Sequence, residues 1–427
     1  MQSDLAVLFY YTKPNKYSFN ALGGALESDI YFENLKFYFV TESMDIERVL
    51  RKAVSEVEKM VVGISFSSPQ IFEIESLIKN LRIKFKEKNV LFIAGGPHPT
   101  ADPKGVLDLG FDIVVRGEGE KTFIELLKKL DTNRDCKDVK GLSFTHNSDY
   151  IYTGPREKIN LNTYPPFPAK HHKFGAIEIT RGCPWACRFC QTPFLFGSKV
   201  RHRSVSEICK YVKIMKNEKH GKLLDVRFIT PNAFSYGSDD GKKVDYLAIE
   251  TLLSSIREII KDQGRIFFGT FPSEVRPENV DQRTIDLVLR YADNDNLIIG
   301  AQSGSQRILD ACRRGHTVED IYRSVELIID SGLKANVDFI FGLPSETEED
   351  LEMTLKVMND LIMIGAKIRG HTFIPLPGTP FEKSVPSKIS SEMKRELKIL
   401  LSKGKLYGDW LKQEKIASKI IHNRLIK

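Results

Sequence analysis

The sequence predicts an α/β chain of two parts, an open Rossmann-like parallel sheet followed by a partial (β/α)6 barrel. Three observations predict it. Short apolar runs alternate with stretches of helical period along most of the chain. Glycine-rich turns follow several of these runs at their carboxyl ends. A proline cluster, Tyr164-Pro165-Pro166-Phe167-Pro168, breaks the alternation once, because so many prolines can continue neither a helix nor a central strand. The expected divisions are residues 1–165, a barrel over 166–386, and a helical extension over 387–427.

In the first part Leu5–Tyr10, Leu35–Val40, Val61–Phe66, Val90–Ala94 and Phe111–Val115 read as buried strands. Between them, Asp45–Lys59 carries Ile46, Val49, Leu50, Val54 and Val57 at helical spacing, and Ile71–Phe85 and Lys121–Leu130 have the same period. Ligands bind open parallel sheets at the carboxyl ends of the strands. Those ends carry Ser67-Ser68, Gly95-Gly96-Pro97-His98 and Gly117-Glu118-Gly119-Glu120, and glycine there permits tight turns and close backbone approach to a ligand. Any one of them is explained as a strand-to-helix turn; three on one edge point to a binding crevice. Gly141–Phe144 and Tyr150–Tyr152 read as a hairpin.

Past the prolines, strands are expected at Ala176–Thr180, Val226–Thr230, Arg265–Thr270, Leu297–Gly300, Ala335–Ile340 and Ile368–Phe373. Helices separate them, the first capped by Ser204 with Glu207 three residues on. Six strands are too few for a closed eight-fold barrel. Function in such barrels gathers at the carboxyl ends of the strands, here the Arg181–Cys190 loop, Thr230-Pro231-Asn232, Gly300–Ser305, Phe341–Pro344 and Pro375–Pro380. His371, near this mouth, receives no role, and no catalytic acid or base is assigned.

Half of the six cysteines, Cys183, Cys187 and Cys190, lie in one loop. Thiolates so close can hold three corners of a [4Fe-4S] cluster and leave the fourth iron open. Other readings compete. The offsets also place three cysteines on one face of a buried helix, although Gly182 and Pro184 oppose a helix there. A structural zinc site would need a fourth ligand, with His171 and His172 nearest. A disulfide suits neither an odd number nor an intracellular chain. Cys136, Cys209 and Cys312 lack ligand spacing.

Cys183-x3-Cys187-x2-Cys190, with Phe189 before the last cysteine, resembles the signature of the radical S-adenosylmethionine (SAM) enzymes. The resemblance implies that SAM chelates the open iron through its amino and carboxylate groups, and that one electron cleaves its sulfonium to a 5'-deoxyadenosyl radical. Gly300–Ser305 with Arg313–Thr317, Asp338–Pro344 with Glu346-Thr347, and Pro377–Pro380 resemble stretches shared by methylthiotransferases and cobalamin-type members. Phe189, Thr230, Asn232, Gln302 and Ser303 become the expected SAM contacts; Gln302, where cobalamin-type members often carry Glu, is similar to the methylthiotransferases.

Residues 1–130 resemble the cobalamin-binding domain that precedes the barrel in a large subgroup. Ser67, Gly95, Gly96, Pro97, His98, Gly117 and Glu118 are then the expected cobalamin contacts. The chain departs from many cobalamin proteins in lacking Asp-x-His-x-x-Gly, whose histidine replaces the lower cobalt ligand. The implied reaction is methyl transfer to a poorly activated carbon or phosphorus of an unknown substrate, with ferredoxin or flavodoxin as electron donor. Methylthio transfer to tRNA or protein is the alternative, although those enzymes carry three further N-terminal cysteines where this chain has only Cys136. A non-catalytic iron-sulfur or cobalamin sensor is the third.

A composition of 41% hydrophobic and 28% charged residues is that of a soluble globular protein, and no stretch approaches the ~20 apolar residues that cross a bilayer. Met1-Gln2-Ser3-Asp4 lacks the basic region of a secretory signal, so a cytoplasmic location is expected. From Lys394 to Lys427, ten Lys/Arg face three acidic residues, an excess equal to the formal +7 of the whole chain. A basic tail suits RNA phosphates; a solvated helical face explains the same charges.

Overall fold

The structure, a computed structural model, describes residues 4–86 and 89–426, with backbone alone for 424–426. Met1–Ser3 and Lys427, which enter the reading of the N-terminus and the basic tail, lie outside the described residues. Two compact units divide the chain, 1–175 and 176–427.

The first unit runs β1 (Leu5–Tyr10), α1 (Lys16–Glu27), β2 (Lys36–Val40), α2 (Ser43–Ala53), β3 (Lys59–Ser65), α3 (Ile71–Lys84), β4 (Val90–Gly95), α4 (Pro97–Ala101), α5 (Pro103–Asp108), β5 (Ile113–Val115), α6 (Gly119–Asp131), β6 (Leu142–His146) and β7 (Asp149–Tyr152). The sheet order is β2-β1-β3-β4-β5-β6-β7, parallel up to β5, with the β6–β7 hairpin added antiparallel. β1 is buried throughout and β3 nearly so, because separate apolar clusters pack on both faces of the sheet. Strand order reverses between β1 and β3, the place where open sheets of this kind form a ligand crevice.

α1 has no counterpart in the sequence reading. Gly23 and Gly24 lower its intrinsic helicity, but a Cβ on Gly24 would stand 2.7 Å from the Pro165 carbonyl oxygen. The glycines are there so that the proline segment can lie against the helix. Phe167 is buried and Pro168 packs at Gly23, which joins this segment to the first unit, and the unit continues to Gly175. α2 is also shorter than its apolar period suggests, since Lys59 already belongs to β3.

The second unit runs β8 (Ile177–Glu178), β9 (Thr180–Arg181), α7 (Thr192–Phe196), β10 (Arg201–His202), α8 (Val205–Glu218), β11 (Leu224–Ile229), α9 (Tyr246–Ile260), β12 (Gly264–Phe267), α10 (Gln282–Tyr291), β13 (Asn296–Gln302), α11 (Gln306–Ala311), α12 (Val318–Asp330), β14 (Lys334–Phe341), α13 (Glu348–Met363), β15 (Lys367–Thr372), α14 (Ser391–Ser402), β16 (Leu406–Tyr407) and α15 (Trp410–Ile426). Ser204 caps α8 as expected, accepting from Glu207 N. β8, β11 and β12 are parallel neighbours, and so are β13 to β16. Val275, beyond β12, bridges in parallel to Ile299 of β13 and links the two sets.

The extension is thus part of the barrel, not an arm on it. β16 adds a seventh parallel strand beside β15, and Trp410, 1% exposed, packs edge-on against Phe341. Gln413 accepts from Thr372 N, and Lys394 pairs with Glu414 at 2.7 Å. Trp410→Ala is expected to destabilise the second unit by about 3–5 kcal/mol, as truncation of a large buried aromatic does. Chemical denaturation checks this; a change under about 1 kcal/mol means the extension does not hold the last strand.

Candidate active site

β9 leads straight into the cysteine loop. Gly182 has φ +94°, and a Cβ there would lie 2.3 Å from the Lys199 carbonyl oxygen, so the chain enters the loop only through glycine. Residues 182–190 are turns, held by Cys183 N to Gly197 O (3.1 Å), Arg188 N to Cys312 O (3.0 Å) and Cys190 N to Cys187 O (3.0 Å). The three cysteines are therefore not one face of a buried helix. Among the described residues no three His, Cys, Asp or Glu side chains come together around a single ion, as a structural zinc site requires. His171 is instead committed to Glu27.

Cys183, Cys187 and Cys190 share one cavity of about 300 Å³ with Phe189, Thr230, Asn232 and Gln302, all of them expected site residues. Gln302 ends β13 at φ +76°, where the register with β14 shifts. Ser303 does not line the cavity: its Oγ lies 3.3 Å from Thr354 Oγ1 and accepts from Ser305 N, fixing the turn into α11. That hydroxyl holds the loop in place.

The sequence reading overlooked the charged part of the wall. Glu274 and Arg276 follow the third barrel strand, Arg314 follows α11, Asp338 lies within β14 and Arg369 within β15. Arg314, 5% exposed, donates from Nη2 to Gly300 O (2.7 Å) and from Nη1 to Cys187 Sγ (3.5 Å), while its Nε has no partner. Arg276 stacks 3.8 Å from the Trp185 ring centroid, pairs with Glu278 and donates to Arg314 O. Asp338, 6% exposed, has Oδ2 3.5 Å from both His371 Nε2 and Arg369 Nη1, and its buried Oδ1 lacks a partner. A buried charge inside an apolar strand run, as in Asp338-Phe339-Ile340-Phe341, was the signal that would have exposed it.

Burial pushes the Glu274 carboxyl up, against the pull of Arg314 and with the push of Asp338. Burial, then Arg314 and Arg276, drive the His316 imidazole down to about 2, so it is neutral and donates from Nε2 to Ala301 O (3.1 Å). Burial also drives the Cys183 thiol up to about 11 and the Cys190 thiol in the same direction. Bound metal reverses that preference by stabilising thiolate.

In the first unit Gly96 has φ +95° with no room for a Cβ, which would meet Ser65 Oγ at 2.6 Å. Gly117, at φ +76°, has nothing within 4 Å of a Cβ position, and Gly95 only the Val115 carbonyl oxygen at 3.8 Å. Gly95 and Gly117 border open space at the carboxyl edge of the sheet. His98, behind Pro97, is buried with Nδ1 2.9 Å from Ser68 Oγ. Ser67 forms a capping box with Gln70, and Glu118 accepts from Ile159 N at 2.9 Å. Ser67 and Glu118 thus each fasten their own chain.

A three-cysteine loop at the mouth of a parallel barrel, beside buried charges of both signs, is a donor set suited to an iron-sulfur cluster. The family models agree: the radical SAM superfamily matches residues 177–358 and the B12 binding domain residues 15–127. The chain thus carries a radical SAM domain after an N-terminal B12-binding domain, and these two domains imply a [4Fe-4S] cluster, SAM and cobalamin. Such enzymes also need a reductant.

An uncharacterized methyltransferase of Pyrococcus horikoshii is 28% identical over 351 residues, 77% of this chain and 70% of that one. The tRNA-2-methylthio-N(6)-dimethylallyladenosine synthase of Buchnera aphidicola is 26% identical over 336 residues, 76% of this chain and 67% of that one. The structure of TsrM, a radical SAM methyltransferase of Kitasatospora setae with cobalamin and a [4Fe-4S] cluster bound, superposes with a TM-score of 0.70 at 17% identity, covering 89% of this chain and 74% of that one. Among the described residues no helix is long and apolar enough to cross a membrane.

The residues fit the implied groups. Three sulfurs line one wall, and two buried polar atoms without partners, Arg314 Nε and Asp338 Oδ1, belong to side chains lining the same cavity. A Cβ on Gly300 would crowd Gln302 Nε2 (2.9 Å), Arg314 Nη2 (3.2 Å) and Glu274 Oε1 (3.2 Å), so glycine is what lets these three groups converge.

Proposed function

We propose that the chain is a cobalamin-dependent radical SAM methyltransferase acting on an unactivated carbon or phosphorus. The observation that carries it is the joining of the cysteine loop, Gln302, Arg314 and Asp338 in one cavity, in a chain that also has a B12-binding domain. When bound, the cluster supplies the electron that cleaves SAM and cobalamin carries the methyl group. Cys183, Cys187 and Cys190 hold three irons. Arg314 matches the SAM carboxylate in charge and Asp338 offers an acceptor to its hydroxyls or ammonium. Phe189, Thr230, Asn232 and Gln302 complete the wall and keep water out, and Gly95, Gly96, Pro97 and Gly117 border the cobalamin crevice. A cytoplasmic location with ferredoxin or flavodoxin as donor suits an oxygen-sensitive cluster.

Anaerobically reconstituted protein is expected to take up one cobalamin per chain with a shift in its visible spectrum, and then to form S-adenosylhomocysteine and 5'-deoxyadenosine from SAM under reduction. An unchanged cobalamin spectrum at saturation would sink the cobalamin half of the reading.

Methylthio transfer is the second reading, favoured by Gln302 on the cavity wall and by the methylthio-forming relative. Iron and sulfide sufficient for two clusters per chain would support it; Cys136, the only cysteine ahead of the loop, speaks for one. RNA as substrate belongs to this reading alone, since much of the basic extension serves to complete the barrel.

A further inference from the structure

Four segments frame the outer side of the cysteine loop. Residues 197–199 lie against Gly182, Gly241 lies against Pro184 and Gly315 against Trp185, while Arg188 O accepts from Phe381 N at 3.2 Å. The loop's tip, Ala186, is exposed at φ +49°. Around it the framing segments present Lys199, Lys242, Lys243, Arg313 and Lys383, all exposed, and none of the five forms an ion pair among the described residues. Some surface cations elsewhere are paired, as in Lys36–Glu56, Lys79–Glu75 and Lys129–Asp138.

The acids of this collar do not cancel it. Asp239 and Asp240 are exposed and Glu382 is half-buried, and these three carboxylates against five cations leave a surplus of two positive charges.

Given the cluster assigned above, on which this inference rests, we propose that the collar is the docking surface for an acidic one-electron donor protein of the flavodoxin or ferredoxin class. Its reduced centre gives up one electron, the oxidised cluster takes it up, and no bond or proton is exchanged. Electron-transfer encounters are small, and opposite charge brings them together quickly without tight binding. RNA fits less well, because single-strand binding also needs aromatic faces for the bases. Here Trp185 lies between Arg276 and Lys242 and Phe381 beside Arg188, so exposed Phe194, against Gly378, is left as a single aromatic face where stacking of successive bases needs several.

The test is the triple variant Lys199→Glu/Lys243→Glu/Lys383→Glu, with Arg48→Glu/Arg51→Glu/Lys52→Glu on α2 as a control for net charge. At low salt the collar variant is expected to bind flavodoxin at least tenfold more weakly and to be reduced by it at least tenfold more slowly. The difference should close at high salt. Reduction by dithionite, which needs no protein docking, should be unchanged, and the control should match wild type. Equal losses in both variants, no loss in the collar variant, or a collar that binds a mixed-sequence RNA while flavodoxin binding is indifferent to it, each overturn the proposal. Flavodoxin binding is also measured on Cys187→Ala protein, where it should persist without a cluster; failure of the wild type to assemble a cluster refutes the functional reading but leaves this binding result to stand alone.

Discussion

Cys187→Ala protein is expected to hold no [4Fe-4S] cluster and to form no 5'-deoxyadenosine from SAM, a loss of at least about 10³-fold, or about 4 kcal/mol in the barrier. Cys187 is the buried one of the three loop cysteines and the one that accepts from Arg314. Removing its sulfur takes away one corner of the donor set and leaves a buried guanidinium short of a partner, so no neighbour can substitute. Cys312 is buried too, but it sits at the end of α11 with its thiol pushed up to about 12 by burial first. The check is iron and sulfide content after anaerobic reconstitution, beside SAM cleavage with dithionite. Undiminished cleavage removes the cluster from the mechanism; a lowered melting point together with lost iron is separated from simple misfolding by circular dichroism.

Much of this was legible because chemistry and backbone leave marks that survive translation into letters. Three cysteines at offsets of four and three, entered through Gly182, announce ligation before any fold is known. The strands from Leu5 to Tyr10 and from Val61 to Phe66 are readable because a sheet covered on both faces demands uninterrupted apolar runs. The missed pieces depend on distant partners. α1 was hidden because its glycines answer to a proline segment some 140 residues on, a contact no local propensity encodes. Arg276 and Arg314 were hidden because a charged residue beside a turn reads as surface until the barrel brings opposite charges and three sulfurs around it, whereas Asp338 left a mark in its apolar strand that went unread. Ser303 and Glu118 show bonds that letters do not: each holds its own chain through hydrogen bonds of its side chain.

Arg314→Met is the second large effect expected, and it acts on SAM before it acts on the cluster. Methionine keeps an unbranched apolar stem but cannot donate, so a carboxylate in the cavity loses a charge-assisted hydrogen bond worth roughly 1.5–3 kcal/mol, or about 10- to 100-fold in affinity. Arg314→Lys keeps the charge without the planar fork and should fall between. Iron content separates the roles: a full cluster with weak SAM binding assigns Arg314 to the ligand, whereas a cluster that no longer assembles assigns it to Cys187. Glu274 gives an independent readout. Arg314 opposes the burial that raises its carboxyl, so the Met variant should raise it further. A carboxyl raised in the folded state stabilises below its unfolded value and loses that contribution as pH climbs through the folded one. The variant should therefore lose stability relative to wild type as pH rises above the ordinary carboxylate range, and parallel stability curves there would mean that Arg314 and Glu274 do not feel each other.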